Sequence, residues 1–198
     1  IDVNGNDSTS SAIVTVLDSI KPTAITQNKT IYLAANGLAS ITTADIDNGS
    51  FDNCSIATIT LDSTQFDCSE IGANTVYLKV IDVNGNASTS SAIVTVLDSI
   101  KPTAITQNKT IYLAANGLAS ITTADIDNGS FDNCAIATIT LDSTQFDCSE
   151  IGANTVYLKV TDVNGNASTS SAIVTVLDSI KPTAITQNKT IYLAANGS

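Results

Sequence analysis

Asp82-Val83-Asn84-Gly85-Asn86 carries oxygen-bearing side chains at alternate positions, the donor pattern a hard cation such as Ca²⁺ takes. The same residues also form a turn signal, with Asn84-Gly85 supplying the φ > 0 positions of a type I′ hairpin turn. A second acidic run, Asp45-Ile46-Asp47-Asn48-Gly49-Ser50-Phe51-Asp52-Asn53, holds three carboxylates within eight residues. Such carboxylates repel one another unless water or a cation compensates. The run is not an EF-hand loop, because its twelfth position is Ile56 and not a bidentate Glu.

These acids converge only if the fold brings them to one end. In an immunoglobulin-like sandwich, the loop after the second strand and the last hairpin loop share an end. That end also receives the incoming chain, here through Asp18. The candidate Ca²⁺ ligands are therefore Asp18, Asp45, Asp47, Asp52, Asp82, Asn84 and Asn86. One period later they are Asp98, Asp125, Asp127, Asp132, Asp162, Asn164 and Asn166. Their expected place is the junction between domains.

Other chemistry is restricted by composition. The chain has no His, Arg, Trp or Met. Without His it lacks the usual general base, the Ser–His dyad and most zinc sites, so no enzyme is expected. The net charge is −11, which disfavours nucleic acid, since phosphate contacts need basic patches. No apolar run approaches the ~18–20 residues of a membrane-spanning helix. Cys54 and Cys68, then Cys134 and Cys148, give an even count per small unit, which suggests one internal disulfide each and an oxidising compartment. A hairpin turning at Leu61-Asp62-Ser63 would bring Cys54 to Cys68 and let a disulfide clamp its ends.

The organisation that must position these groups is a repeat of 80 residues. Residues 1–80 and 81–160 differ only at Asp7/Ala87 and Ser55/Ala135. Residues 81–118 and 161–198 differ only at Ile81/Thr161 and Leu118/Ser198. Asp7/Ala87 shows that one acid beside the Asn-Gly loop is dispensable. The strand patterns break at Leu17-Asp18-Ser19-Ile20-Lys21-Pro22, and again at Asp98 and Asp178. The expected units are 18–97 and 98–177, with 1–17 the tail of a preceding unit and 178–198 the head of a following one.

Within a unit the hydrophobic pattern has period two. Val76, Leu78 and Val80 alternate with Tyr77 and Lys79, and Ala92, Val94 and Val96 alternate with Ile93, Thr95 and Leu97. Ala57, Ile59 and Leu61 repeat the pattern, and turn signals recur at Asn36-Gly37, Asn48-Gly49, Ile71-Gly72 and Asn84-Gly85. No stretch carries a useful helical stripe. The expected fold is all-β: tandem immunoglobulin-like β-sandwich domains. The short, glycine-free, Pro-bearing linker Leu97–Pro102 favours a semi-rigid rod.

Several of these residues together resemble a known family. Asp52-Asn53-Cys54, Phe66, Ile71-Gly72, Thr75-Val76, Asp82-x-x-Gly85-Asn86 and Val94-x-Val96-x-Asp98, closing on Lys101-Pro102, resemble the hyalin-repeat (HYR) family of immunoglobulin-like modules over nearly the whole unit. The Thr-rich, Cys-bearing form looks most like the long arrays in giant surface adhesins of Bacteroidota, including the gliding-motility adhesin. The cysteines depart from the family, which often pairs one near the first strand with one in the last; Gln27 and Ser90-Ser91 stand there instead. The resemblance implies an extracellular, cell-surface filament in adhesion or gliding, with outer-membrane anchoring through regions outside this stretch. It also implies O-glycosylation at Asp-Ser motifs, here Ser8, Ser19, Ser63, Ser99, Ser143 and Ser179. The expected role is a spacer or stalk whose partners are neighbouring repeats; the alternative is that the repeats themselves bind a polysaccharide or glycan through Tyr32 and Tyr77.

Overall fold

A computed structural model describes residues 1–195. The chain divides into two compact units, Ile1–Ile100 and Lys101–Ser198. Among the described residues of the first unit the strands are β1 (Lys29–Tyr32), β2 (Leu38–Ser40), β3 (Ile56–Leu61), β4 (Gln65–Asp67), β5 (Gly72–Asp82) and β6 (Ala87–Leu97). One helical turn, α1 (Thr43–Ile46), follows β2. The second unit repeats the order: β7 (Lys109–Tyr112), β8 (Leu118–Ser120), α2 (Thr123–Ile126), β9 (Ile136–Leu141), β10 (Gln145–Asp147), β11 (Gly152–Asp162) and β12 (Ala167–Leu177).

Each unit is a two-sheet sandwich of the immunoglobulin type. One sheet has the order β1-β6-β5-β3, the other pairs β2 with β4. The β5–β6 hairpin is the scaffold, paired from Gly72↔Val96 to Ile81↔Ala87. Its period-two pattern works as expected: Val76, Leu78, Val80, Ala92, Val94 and Val96 are buried, because alternate side chains of a strand share a face. Ile31, Leu33, Ile41, Ile46 and Phe66 complete the core. The same positions, one period later, are buried in the second unit. Each fully buried Val, Leu or Ile contributes about 1.5–3 kcal/mol of hydrophobic stabilisation.

Three local expectations are corrected. First, Ala57 is exposed while Ile56, Ile59 and Leu61 are half-buried. A register shift between Ile56 and Thr58 resets the alternation there, as a bulge does. Second, β3 and β4 do not form a hairpin. β3 pairs with β5 and β4 with β2, so the turn at Leu61-Asp62-Ser63 carries the chain from one sheet to the other. Third, the loop after β5 is not a type I′ turn. Gly85 has φ 91, and no described non-glycine residue has positive φ. Gly85 N–H donates to the Asp82 carbonyl at 3.3 Å, which makes a β-turn over 82–85 with glycine closing it.

The chain supplies its own control on what makes a strand. Residues 10–17 have the sequence of 90–97 but form no strand, and Val14 and Val16 are 84% and 88% exposed where Val94 and Val96 are 0%. The difference is the partner: β6 lies between β5 and β1, and strand propensity reflects packing against such neighbours. Residues 1–17 and 178–195 are exposed and carry no strand, and 196–198 of the expected tail lie outside the described residues.

Leu78 is fully buried, so Leu78→Ala should cost about 2–5 kcal/mol. In denaturant the transition of the first unit should move to lower concentration while that of the second stays in place. Both moving together would mean that the units share one core.

Candidate metal centre

The loop after β5 is organised by a carboxylate. Asp82 is 1% exposed, and its Oδ1 accepts from the backbone N–H of Asn84 at 2.9 Å and of Asn86 at 2.8 Å. Its Oδ2 accepts from Asn86 Nδ2 at 2.8 Å. These bonds are written locally in the sequence. Asp2, Asn4 and Asn6 make the same three at 2.9, 2.9 and 2.8 Å in an exposed segment, and Asp162 makes them in the second unit. Asx-type bonding of this kind favours a turn over a continuing strand.

The incoming segment docks beside this loop. Asp18 Oδ1 accepts from Ile20 N–H at 3.0 Å, and that bond is the main reason its carboxyl is held below the ordinary value. The Asp18 carbonyl accepts from Asn86 Nδ2 at 3.2 Å. From the other side comes the segment after α1, whose Asp52 Oδ2 accepts from Cys54 N–H at 2.9 Å. Val83 N–H donates to the Ser55 carbonyl at 3.1 Å, which ties the two loops at one end. There one ligating atom each of Asp18, Asp52 and Cys54 lie within 4.8 Å of one another. Asp18 Oδ2 and Asp52 Oδ1 are buried with no full hydrogen bond, and the Cys54 thiol and Asn53 side chain approach the Asp18 carboxylate only as weak donors. The Asp18 carboxylate, followed by burial and the charges of Asp52 and Asp82, pushes the Cys54 thiol up.

Two buried carboxylate oxygens without a full hydrogen bond, with the charge of Asp82 also felt at Cys54, leave negative charge that a cation would neutralise. Hard oxygen donors suit Ca²⁺, with water completing its six to eight ligands. A thiol kept protonated is not a ligand for it. In the second unit Asp132 Oδ1 is likewise buried without a partner, and Asp162 is 2% exposed.

Not every expected ligand comes to this end. Asp45 pairs with Lys29 at 2.8 Å and caps α1 through Thr42. Lys29 stands opposite Val94 in β6, seven residues beyond Ala87. At ~3.3 Å per residue that is about 23 Å from the loop. Asp125 pairs with Lys109 in the same way at 2.8 Å. Asp47 and Asp127 lie in bridges to Thr26 and Thr106 and accept from Ser50 and Ser130 N–H at 3.0 and 3.1 Å. Asn84 and Asn164 are exposed, and the Asn86 amide nitrogen is committed to Asp82 and Asp18. Asp98 makes the same turn as Asp18, its Oδ1 accepting from Ile100 N–H at 3.0 Å. The Lys29–Asp45 pair and the approach of Cys54 to Asp18 escape sequence reading, since neither has a local signal. The Thr42-x-x-Asp45 capping box is the one trace that α1 leaves.

The expected cysteine pairs do not form. Cys54 and Cys148 are free thiols. Because β3 and β4 lie in different sheets, the chain between Cys54 and Cys68 does not double back. Ser8, Ser19, Ser99 and Ser179 are exposed outside the strands, and Ser63 and Ser143 are half-buried.

No family model and no curated protein matches the chain. Solved structures similar to it include protocadherin gamma B7 extracellular cadherin domains 1–4, with 11% identity and TM-score 0.36 over 79% of this chain and 51% of that one. Human mucin-like protocadherin EC1-2 has 13% identity and TM-score 0.38, over 77% of this chain and 97% of that one. Human protocadherin-24 EC1-2 has 10% identity and TM-score 0.43, over 79% and 98%. The chain thus spans about half the length of the gamma B7 structure. At these identities and scores the likenesses carry no functional argument.

Lys29 holds the Asp45 carboxyl down at about 2, against an ordinary 3.8. A carboxyl depressed by folding stabilises the protein above its unfolded pKa, and that contribution is lost as pH falls through the folded value. Asp45→Ala should therefore cost about 1 kcal/mol at neutral pH, chiefly through the lost helix cap. The gap from the parent should close as pH falls from about 4 to 2. Urea midpoints of the two proteins across that range check this.

Proposed function

We propose that the chain is a structural segment of a long extracellular surface adhesin, each unit serving as a spacer in adhesion or gliding. The observation that carries this reading is modular closure. The same eleven hydrophobic positions are buried in each unit, so a unit can be added without redesigning its neighbour. Near-identity of the copies and their resemblance to hyalin-repeat modules support it. The exposed Asp-Ser motifs at Ser19, Ser99 and Ser179 fit O-glycan carriers on such a surface.

Calcium is the second part of the proposal. The oxygens of Asp18 and Asp52 without a full hydrogen bond, with the charge of Asp82 also felt at Cys54, would hold Ca²⁺ and fasten the incoming segment to the sandwich. The ion supplies charge neutralisation and no reaction. A ligand present at a hundred times its Kd stabilises by about 2.7 kcal/mol.

One observation favours a ligand-binding reading. The outer face of the large sheet carries Tyr32 and Tyr77, 60% and 50% exposed, with Ile93 and Leu97 each 37% exposed. Tyr32 stands opposite Leu97. Such a face can stack on the apolar side of a sugar ring.

Adding Ca²⁺ should raise the melting temperature by several degrees, and a chelator should reverse it. Asp52→Asn should abolish most of the shift, and no shift in the parent sinks the calcium proposal. Separately, the 198-residue chain should pass over immobilised surface polysaccharides unretained. Retention that Tyr32→Ala with Tyr77→Ala abolishes would instead establish the sheet face as a binding site.

A further inference from the structure

The sandwich of each unit carries three asparagine–glycine steps. In the first unit they are Asn36-Gly37, Asn48-Gly49 and Asn84-Gly85. Glycine has no side chain to hinder its backbone, so its nitrogen can attack the side-chain amide of the asparagine before it. The attack requires that nitrogen to give up its proton. A hydrogen bond from the glycine N–H to an acceptor therefore holds the step out of reaction.

Two of the three steps are closed in this way. Gly37 N–H donates to the Ala34 carbonyl at 2.8 Å, and Asn36 Oδ1 is committed to Leu38 N–H at 3.2 Å. Gly85 N–H donates to the Asp82 carbonyl at 3.3 Å. Gly49 differs. Among the described residues its N–H meets no acceptor. Asn48 is exposed, and beyond the chain neighbours of Gly49 no atom lies within 4 Å of where a β-carbon would stand. The second unit repeats the contrast. Gly117 donates to the Ala114 carbonyl at 2.8 Å and Gly165 to the Asp162 carbonyl at 3.4 Å, whereas Gly129 meets no acceptor among the described residues.

The open step sits in the turn that grips the incoming segment. Before the step, Asn48 N–H donates to the Ile25 carbonyl at 2.9 Å. After it, Ser50 Oγ accepts from Ile25 N–H at 2.9 Å. Phe51 and Thr23 exchange two backbone bonds, at 2.7 and 3.1 Å. Asp47 Oδ1 accepts from Ser50 N–H at 3.0 Å and closes the turn over the step. Residues on both sides of one peptide bond thus hold the same short stretch, 23–25. In the second unit Asn128, Ser130 and Phe131 hold Ile105 and Thr103 at the same distances.

We propose that Asn48-Gly49, and Asn128-Gly129 in the second unit, is a spontaneous modification site through which a unit loosens its incoming segment with age. The Gly49 nitrogen bonds to Cγ of Asn48 and the Cγ–Nδ2 bond breaks. Nδ2 leaves as ammonia, carrying the proton that the glycine nitrogen gives up. The product is a cyclic imide, which water opens at either carbonyl. Opening at Cγ leaves an aspartate. Opening at the backbone carbonyl leaves an isoaspartate, whose main chain runs through the side-chain carbon and is longer by one methylene. Water is consumed, ammonia is released and no oxidant is needed. The added methylene falls between the two grips, so both cannot keep their register on 23–25. The new carboxylate also follows Asp47 directly and repels it.

Cleavage before aspartate isolates each step: peptide 18–44 holds Asn36, 47–51 holds Asn48 and 82–97 holds Asn84. The second unit yields the same sequences at 98–124, 127–131 and 162–177, so each peptide reports its equivalent sites together. Folded protein aged in warm neutral buffer should convert in 47–51 several times faster than in 18–44 or 82–97, any further cut at a new aspartate counting as conversion. In protein aged in urea the three rates should draw together. Amide exchange at Thr23 and Ile25, read by NMR, should rise about fivefold on conversion, the weight of one ordinary hydrogen bond. Asn48→Ser with Asn128→Ser should age without that rise. Conversion of 18–44 or 82–97 as fast as 47–51 in the folded protein overturns the proposal. So does converted protein whose exchange at Thr23 and Ile25 is unchanged.

Discussion

A single buried carboxylate governs much of each unit. Asp82 is enclosed at 1% exposure, where an unpaired charge would be strongly unfavourable. It is tolerated because its own loop supplies three hydrogen bonds. Those bonds fix the turn, and the turn fixes the register of the two longest strands, from Gly72↔Val96 to Ile81↔Ala87. A slip of one residue would turn Val76, Leu78 and Val80 out of the core. The same carboxylate keeps Asn86 oriented so that its amide reaches the Asp18 carbonyl. Loop, core register and docking of the incoming chain thus share one anchor.

The repeat, the period-two strands β5 and β6 and the Asp-Asn turns were legible because each is encoded over a few residues. The turn at Asp2 forms its three bonds without any core around it. The approach of Asp52 to Asp18 follows from topology, since strand parity decides which loops share an end. Lys29 with Asp45 was not, because a pair 16 residues apart leaves no periodic trace. Neither was the fate of the cysteines. Leu61-Asp62-Ser63 reads as a hairpin locally, and only the pairing of β4 with β2 shows that the chain changes sheets there. The short strands β1, β2 and β4 offer three or four residues each, too few for alternation to separate strand from loop.

Acidity is therefore distributed by role, though composition alone treats it as one property. Asp45 is neutralised by Lys29 and works as a helix cap. Asp67 caps the turn before β5 by accepting from Ser69 N–H at 2.7 Å. Asp62 accepts from Tyr77 N–H at 2.8 Å, joining the sheet-to-sheet crossing to β5. Asp18 and Asp52 are among the few described acids of the first unit that keep a buried oxygen outside such bonds. Most of the net negative charge is thus spent on turns and caps, and the cation argument rests on a small remainder.

The parallel pairing of β1 with β6 sets how a unit responds to load. Lys29↔Val94 to Tyr32↔Leu97 join the first strand to the last, running in the same direction. Tension applied through the incoming segment draws β1 back toward its start, while tension through the outgoing segment draws β6 toward its end. The two strands are pulled past each other along their length, and the hydrogen bonds between them lie across that direction. They share the force and must yield together, where a hairpin pulled from its open end would unzip one bond at a time. The unit is in this sense a mechanical clamp, its resistance set by four paired residues and by the buried side chains of Ile31 and Leu33 beneath them.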